Sequence, residues 1–188
     1  MNAKNVLAVY DRATEDDRIA GLQWYARAMN IACAIADGDL AKGAGVIAVL
    51  SPRVDWAHNI ALAQDCFEGK FAGHYTACLN KAARIIAGEP AREVVAGKWR
   101  RANKTTAFFD CIVSSGQTEA VCVDRHALAV LFGRIPSDDV YRQLFSNVGG
   151  RYERAARMYR KAAAQVGLYP AQLQAICWCC WRREKYGE

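Results

Sequence analysis

Apolar positions in this chain recur at intervals of three and four, which predicts helices almost throughout. Between Glu15 and Ala36, the residues Ile19, Leu22, Ala26, Met29, Cys33 and Ala36 step along one face of an expected amphipathic helix. Thr14, Asp16 and Asp17 form its start signal and Gly38 closes it. Lys42–Leu50 is apolar enough to predict a buried helix, which Ser51-Pro52 ends. A helix over Trp56–Glu68 follows, capped from within Ser51 to Asp55. Further helices are expected over Tyr75–Ala87, Ala102–Ser114, Arg125–Phe132, Pro136–Ser146, Gly150–Val166 and Pro170–Lys185, with Pro90 marking a turn. In the helix after Gly150, Tyr152, Ala155, Ala156, Tyr159, Ala163 and Val166 form the stripe to be buried; Arg154, Arg157 and Lys161 take other faces. Only Ala120–Val123 has strand-like character, and it is too short to build a sheet. The pattern predicts an all-α protein of many short helices, without repeats or long linkers.

Composition supports a packed core: 53% of the 188 residues are hydrophobic, 23% are charged and four are Pro. That length suits one domain or two small lobes. The longest apolar run, Ala44–Leu50, falls far short of the ~18 residues of a membrane span. Met1–Asn5 leads into polar positions unlike those of a signal peptide. The expectation is therefore a cytoplasmic chain with no membrane partner, and a monomer by default. Eight cysteines, at 33, 66, 78, 111, 122, 177, 179 and 180, are then better read as reduced thiols than as a disulfide framework.

The net charge of +6 becomes informative once it is located. Residues 11–40 hold six acids against three Arg; residues 84–104 hold six bases against two Glu, and residues 151–188 eight against three. Two positive segments suit a polyanion such as nucleic acid, although basic helix faces on a soluble protein give the same count.

Three stretches, in order, resemble the helix-hairpin-helix DNA glycosylase superfamily, the group that contains endonuclease III. Val46-Ile47-Ala48-Val49-Leu50-Ser51-Pro52, followed by Trp56, Asn59 and Ala63, is similar to the helix, turn and helix that open the family's central lobe. Lys98-Trp99-Arg100-Arg101-Ala102-Asn103-Lys104-Thr105-Thr106-Ala107-Phe108-Phe109 looks like the hairpin exit, where bifunctional members carry Lys-Thr-Ala. Val121-Cys122-Val123-Asp124-Arg125-His126 resembles the family's Val-Asp-x-His, twenty residues beyond the lysine. The likeness covers roughly residues 40–135. It implies a two-lobed fold, with a central lobe over residues 40–125 and a second lobe built from residues 1–39 and 126–188. It also implies double-stranded DNA as the partner, with Lys104 attacking C1′ of a flipped nucleotide. The Schiff base so formed would permit strand cleavage at the abasic site.

The two residues also make chemical sense without the resemblance. Lys104 opens an apolar helix face with Ala107, Phe108, Cys111 and Ile112, and a desolvated amine is a competent nucleophile. Asp124 precedes a helix and can stabilise positive charge on a sugar ring, or it can act only as an N-cap. Lys104 can equally be a solvated helix-start lysine. His126 is expected beside the DNA or as a structural contact to backbone near Asp124, since an i+2 spacing does not share a helix face.

The departures from the family are definite. Gly97 stands alone where the hairpin normally has two glycines, so phosphate contact passes to Lys98, Trp99, Arg100 and Arg101. The turn after Ser51, where the family places a wedge residue, offers Arg53, with Asp55 and Trp56 beside it. Trp56 or Trp99 can stack on a base or fill a core. The four-cysteine iron–sulfur loop is absent. Cys177-Trp178-Cys179-Cys180 reads as packed terminal helix, so neither a metal nor any other cofactor is expected. The sequence thus points to a DNA glycosylase, with or without abasic-site lyase activity, acting through Lys104 and Asp124. The alternative is a catalytically silent DNA-binding protein that keeps the fold, and a weaker one is an interaction protein with a basic docking face.

Overall fold

A computed structural model describes residues 1–97, 103–145 and 150–187. Among the described residues the regular structure is entirely helical, in eleven segments. These are α1 (Ala3–Arg12), α2 (Glu15–Ile35), α3 (Leu40–Leu50), α4 (Trp56–Phe67), α5 (Thr76–Ile86) and α6 (Ala91–Ala96), then α7 (Lys104–Val113), α8 (Arg125–Phe132), α9 (Asp138–Phe145), α10 (Arg151–Val166) and α11 (Pro170–Tyr186). The chain is all-α, as the periodicity predicts, but α1 and the short α6 were not anticipated. In α1, Asn2 caps the helix by accepting from Lys4 N at 3.0 Å, and Val6 and Val9 are buried.

The buried side chains form two clusters. One gathers α1, α8, α9, α10 and most of the inward face of α11. The other gathers α2 to α7 together with Ala171 and Ala175 of α11. Helix α3 lies at the heart of this second cluster: every residue from Gly43 to Leu50 is buried, against α2, α4, α5, α6 and α7. Residues 1–39 divide between the clusters, since α1 packs on α8, α10 and α11 while α2 gives Tyr25, Ala28 and Ala32 to the core of α3.

The face that α2 buries is not the expected one. Ile19 and Leu22 are 44% and 41% exposed, and the buried line runs through Asp17, Gly21, Tyr25, Ala28 and Ala32. Close packing is the reason. A Cβ on Gly21 would lie 2.5 Å from the backbone N and Cα of Ile176, so α2 and α11 meet almost backbone to backbone. A Cβ on Gly43 would likewise sit on the carbonyl oxygen of Ala32, where α3 crosses α2. A branched apolar stripe would hold these helices apart; small residues let them touch. At its start, α2 carries a capping box: Thr14 Oγ1 accepts from Asp17 N and Asp17 Oδ2 accepts from Thr14 N.

The strand-like segment at residues 120–123 forms neither helix nor strand, and tight turns close Val123 N on Val121 O at 3.0 Å and Asp124 N on Cys122 O at 3.1 Å. Val121 and Val123 enter one core and Cys122 the other, which is the period of two seen in the sequence. A side chain adds to these backbone contacts. Tyr152 donates its hydroxyl to Val121 O at 2.8 Å and accepts from Val123 N at 3.1 Å.

Candidate active site

Where α2, α7 and α11 converge on the α3–α4 turn and the start of α8, they enclose a cleft of about 110 Å³. Lys104 and Asp124 both line it. So do four aromatic rings from four different helices: Trp24, Trp56, Phe108 and Trp178. Trp24 is central to them, its ring centroid 5.1 Å from that of Trp56, 5.9 Å from Phe108 and 6.2 Å from Trp178. These are tilted and edge-on contacts of the kind aromatic rings prefer. Behind them Tyr25, fully buried, donates its hydroxyl to Gln174 Oε1 at 2.9 Å and so joins α2 to α11.

Lys104 is the first residue of α7, whose N-cap Asn103 accepts from Thr106 N at 3.0 Å. The lysine is half-buried, and its Nζ donates to Ser51 O at 3.4 Å. Ser51 caps the C-terminus of α3, where backbone carbonyls carry partial negative charge, so the contact holds the amine at the cleft edge. The Ser51 hydroxyl turns inward and donates to Ala48 O at 2.9 Å.

Asp124 is the N-cap of α8, its Oδ1 accepting from Ala127 N at 2.7 Å. Its other oxygen, Oδ2, accepts from the indole Nε1 of Trp178 at 3.1 Å. Capping and cleft lining therefore coincide in one residue. Between the two sites lies Cys122, whose thiol burial pushes up to about 12, with Lys104 opposing and Asp124 adding to the effect. It stays protonated near neutrality and is not a nucleophile.

The α3–α4 turn supplies the remaining expected residues. Arg53 is exposed, adopts a left-handed backbone (φ 63°) and donates to the Tyr75 hydroxyl at 3.4 Å. Non-glycine residues adopt this conformation at a cost, commonly beside functional sites. Asp55 caps α4 by accepting from His58 N at 2.8 Å, and Trp56 follows on the cleft wall. Lys98, Trp99, Arg100 and Arg101 lie outside the described residues.

His126 takes a different place. It stands edge-on to Trp178 (6.2 Å between centroids) and to Tyr186 (5.6 Å), lining a neighbouring hollow with Arg125 and Tyr141 rather than the cleft itself. Burial holds its pKa below the ordinary histidine value; Asp124 opposes this, while Arg182 and Arg125 reinforce it. His126 thus supports Trp178 from outside, and Arg182 stacks on the same indole at 4.3 Å. The terminal cysteines pack inward: Cys177 and Cys180 each direct a thiol to a carbonyl of α1, those of Val6 and Val9, at 3.5 Å.

Sequence reasoning passed over Trp24, Tyr25, Asn59, Gln174 and Trp178 as parts of the site. The available signal was Trp178, a large polar-tipped ring within an otherwise small-residue run, Cys177 to Cys180. The model of a family of unknown function, DUF7178, matches residues 1–185, and the chain belongs to that family. No curated protein and no solved structure matches the chain.

Proposed function

We propose that this protein releases a base from DNA by N-glycosylase chemistry, with Lys104 as nucleophile and Asp124 as its charged partner. The observation that carries the reading is that these two residues, twenty positions apart, line one aromatic-walled cleft. Bases inside a duplex are out of reach, so an enzyme acting on one must draw it out of the stack and hold it against aromatic and apolar surfaces. Trp24, Trp56, Phe108 and Trp178 offer such surfaces.

In this reading the unprotonated amine of Lys104 forms a bond to C1′ as the bond from C1′ to the base breaks. The base leaves with the electron pair and takes up a proton. The carboxylate of Asp124 offsets the positive charge that grows on the sugar. Opening of the sugar ring gives a Schiff base between Nζ and C1′. Water then releases it, or loss of a sugar proton expels the 3′ phosphate first. Arg53, exposed on the α3–α4 turn whose neighbours Ser51, Val54 and Asp55 line the cleft, and the basic stretch around residues 98–101 supply contacts to the phosphates. The likeness of Val121 to His126 and of the Lys104 segment to helix-hairpin-helix glycosylases supports the same assignment.

The test is borohydride trapping on duplexes that carry an abasic site or a panel of damaged and modified bases. A covalent adduct with the wild-type chain, lost in Lys104→Ala at unchanged helix content, is the expected result. A second reading, a silent DNA-binding protein, is favoured by the structural engagement of both groups: Lys104 rests on Ser51 O, and Asp124 has both oxygens bonded. Salt-sensitive duplex binding without adduct or base release would select it.

A further inference from the structure

We infer that Asn59 reads the pairing edge of the base, through a hydrogen-bond acceptor that has no partner within the protein. The inference rests on the reading of the cleft as a base pocket and names the residue that sets its selectivity. Asn59 sits in the first turn of α4, three residues beyond Trp56, and is only 2% exposed. Three buried side-chain polar atoms lack a partner among the described residues: Asn59 Oδ1, His74 Nε2 and Trp181 Nε1. Of these, only the Asn59 oxygen belongs to a residue of the cleft wall.

Buried polar groups in native proteins are nearly always paired, because an unpaired one forfeits its hydration without return. A leucine at position 59 would fill the same space without that loss. An unpaired amide oxygen on a residue that shares a cleft wall with four aromatic rings is instead suited to a ligand that brings its own donor. A carbonyl oxygen only accepts, so the ligand must present a donor, which on a base lying among those walls is an N–H in the plane of its ring. A nucleobase with a free pairing edge does so. A base alkylated at that nitrogen does not. The substrates are therefore bases modified away from the pairing edge, and alkylation on that edge excludes a base.

Tryptophan fluorescence of the full chain reports on the cleft, because Trp24, Trp56 and Trp178 line it. The ligands are thymidine and its N3-methyl derivative, and deoxyadenosine and its N6,N6-dimethyl derivative. At least one parent nucleoside should bind at least tenfold more tightly than its methylated partner. Asn59→Leu should abolish that difference while still binding the methylated compound, with thermal stability equal to or above wild type. Methylated and parent nucleosides bound equally by the wild-type chain would overturn the inference, as would discrimination that survives in Asn59→Leu or no binding at all. The wild-type comparison needs no variant, so it decides even if Asn59→Leu does not fold. Discrimination between nucleosides without base release from any duplex would sink the glycosylase reading alone. Base release from duplexes, with no discrimination, would sink the role of Asn59 alone.

Discussion

Trp178 of the last helix donates its indole N–H to Asp124, the residue that starts α8, at 3.1 Å across 54 positions of sequence. The carboxylate is therefore gripped twice, by Trp178 on Oδ2 and by Ala127 N on Oδ1. Such a group keeps one orientation, and no rearrangement is needed before it meets positive charge. The same grip makes Asp124 structural, so charge and capping must be separated by experiment.

Two substitutions at Asp124 separate them. Asparagine keeps an oxygen for Ala127 N but turns its amide N–H toward the indole N–H, so Asp124→Asn keeps the cap and should melt below wild type through loss of the indole contact alone. Asp124→Ala loses the indole contact and the cap together, and should fall a further ~1 kcal/mol below the asparagine variant. Base release should fall in both variants to a similar extent. Loss of activity only in the alanine variant, in step with its melting temperature, would show that the charge does nothing.

Replacing Trp178 by Phe keeps a ring on the cleft wall and removes the donor. Hydrogen bonds to charged groups contribute roughly 1.5–3 kcal/mol, so thermal denaturation should show a lower Tm. Adduct yield with abasic DNA should fall along with it. An unchanged Tm together with an unchanged yield would mean that the indole does not restrain the carboxylate in solution.

The close approach of α2 and α11 predicts an unusual response to alanine. In a helix interior Ala is intrinsically better than Gly by about 0.8–1 kcal/mol. At position 21 the new methyl meets the backbone of Ile176, which cannot give way as a flexible side chain would. Gly21→Ala should therefore destabilise the protein, by roughly 1–3 kcal/mol or more from overpacking. Chemical denaturation of the variant gives the sign directly.

Asp17 supplies the pH dependence. Burial works to raise its pKa, but hydrogen bonds from Arg183 and from Thr14 outweigh this and hold the carboxyl below its ordinary value. The Arg183 guanidinium reaches Asp17 Oδ2 at 2.8 Å. A carboxyl depressed in the folded state stabilises fully above its unfolded pKa, about 3.9, and that contribution is lost as pH falls through the folded value. Between pH 6 and pH 2 the Tm of wild type should therefore fall more steeply than that of Asp17→Asn. Parallel curves would remove the ion pair from the stability of the fold.

Secondary structure was legible where one face carries the signal. The stripe of α10 from Tyr152 to Ala163 is buried as its spacing implies, and α3 is buried on every side. The burial of α2 was misread because Ile19 and Leu22 outweigh Gly21 and Ala28 on any hydrophobic scale, whereas the neighbouring backbones select for small size. Lys104, Asp124 and Trp56 could be singled out because each stands beside a local motif. Trp24, Asn59 and Gln174 could not, since their convergence depends on where α2, α4 and α11 cross, and no short stretch of chain encodes that.

The cross-connection of α11 also sets the order in which the cleft can appear during synthesis. Lys104 and Asp124 leave the ribosome well before Gln174 and Trp178, which complete the wall and restrain the acid. Contacts of such separation close late, after the loop entropy has been overcome. A nascent chain halted before α11 carries Lys104 and Asp124 but not the wall that joins them, so the cleft arrives all at once, with α11.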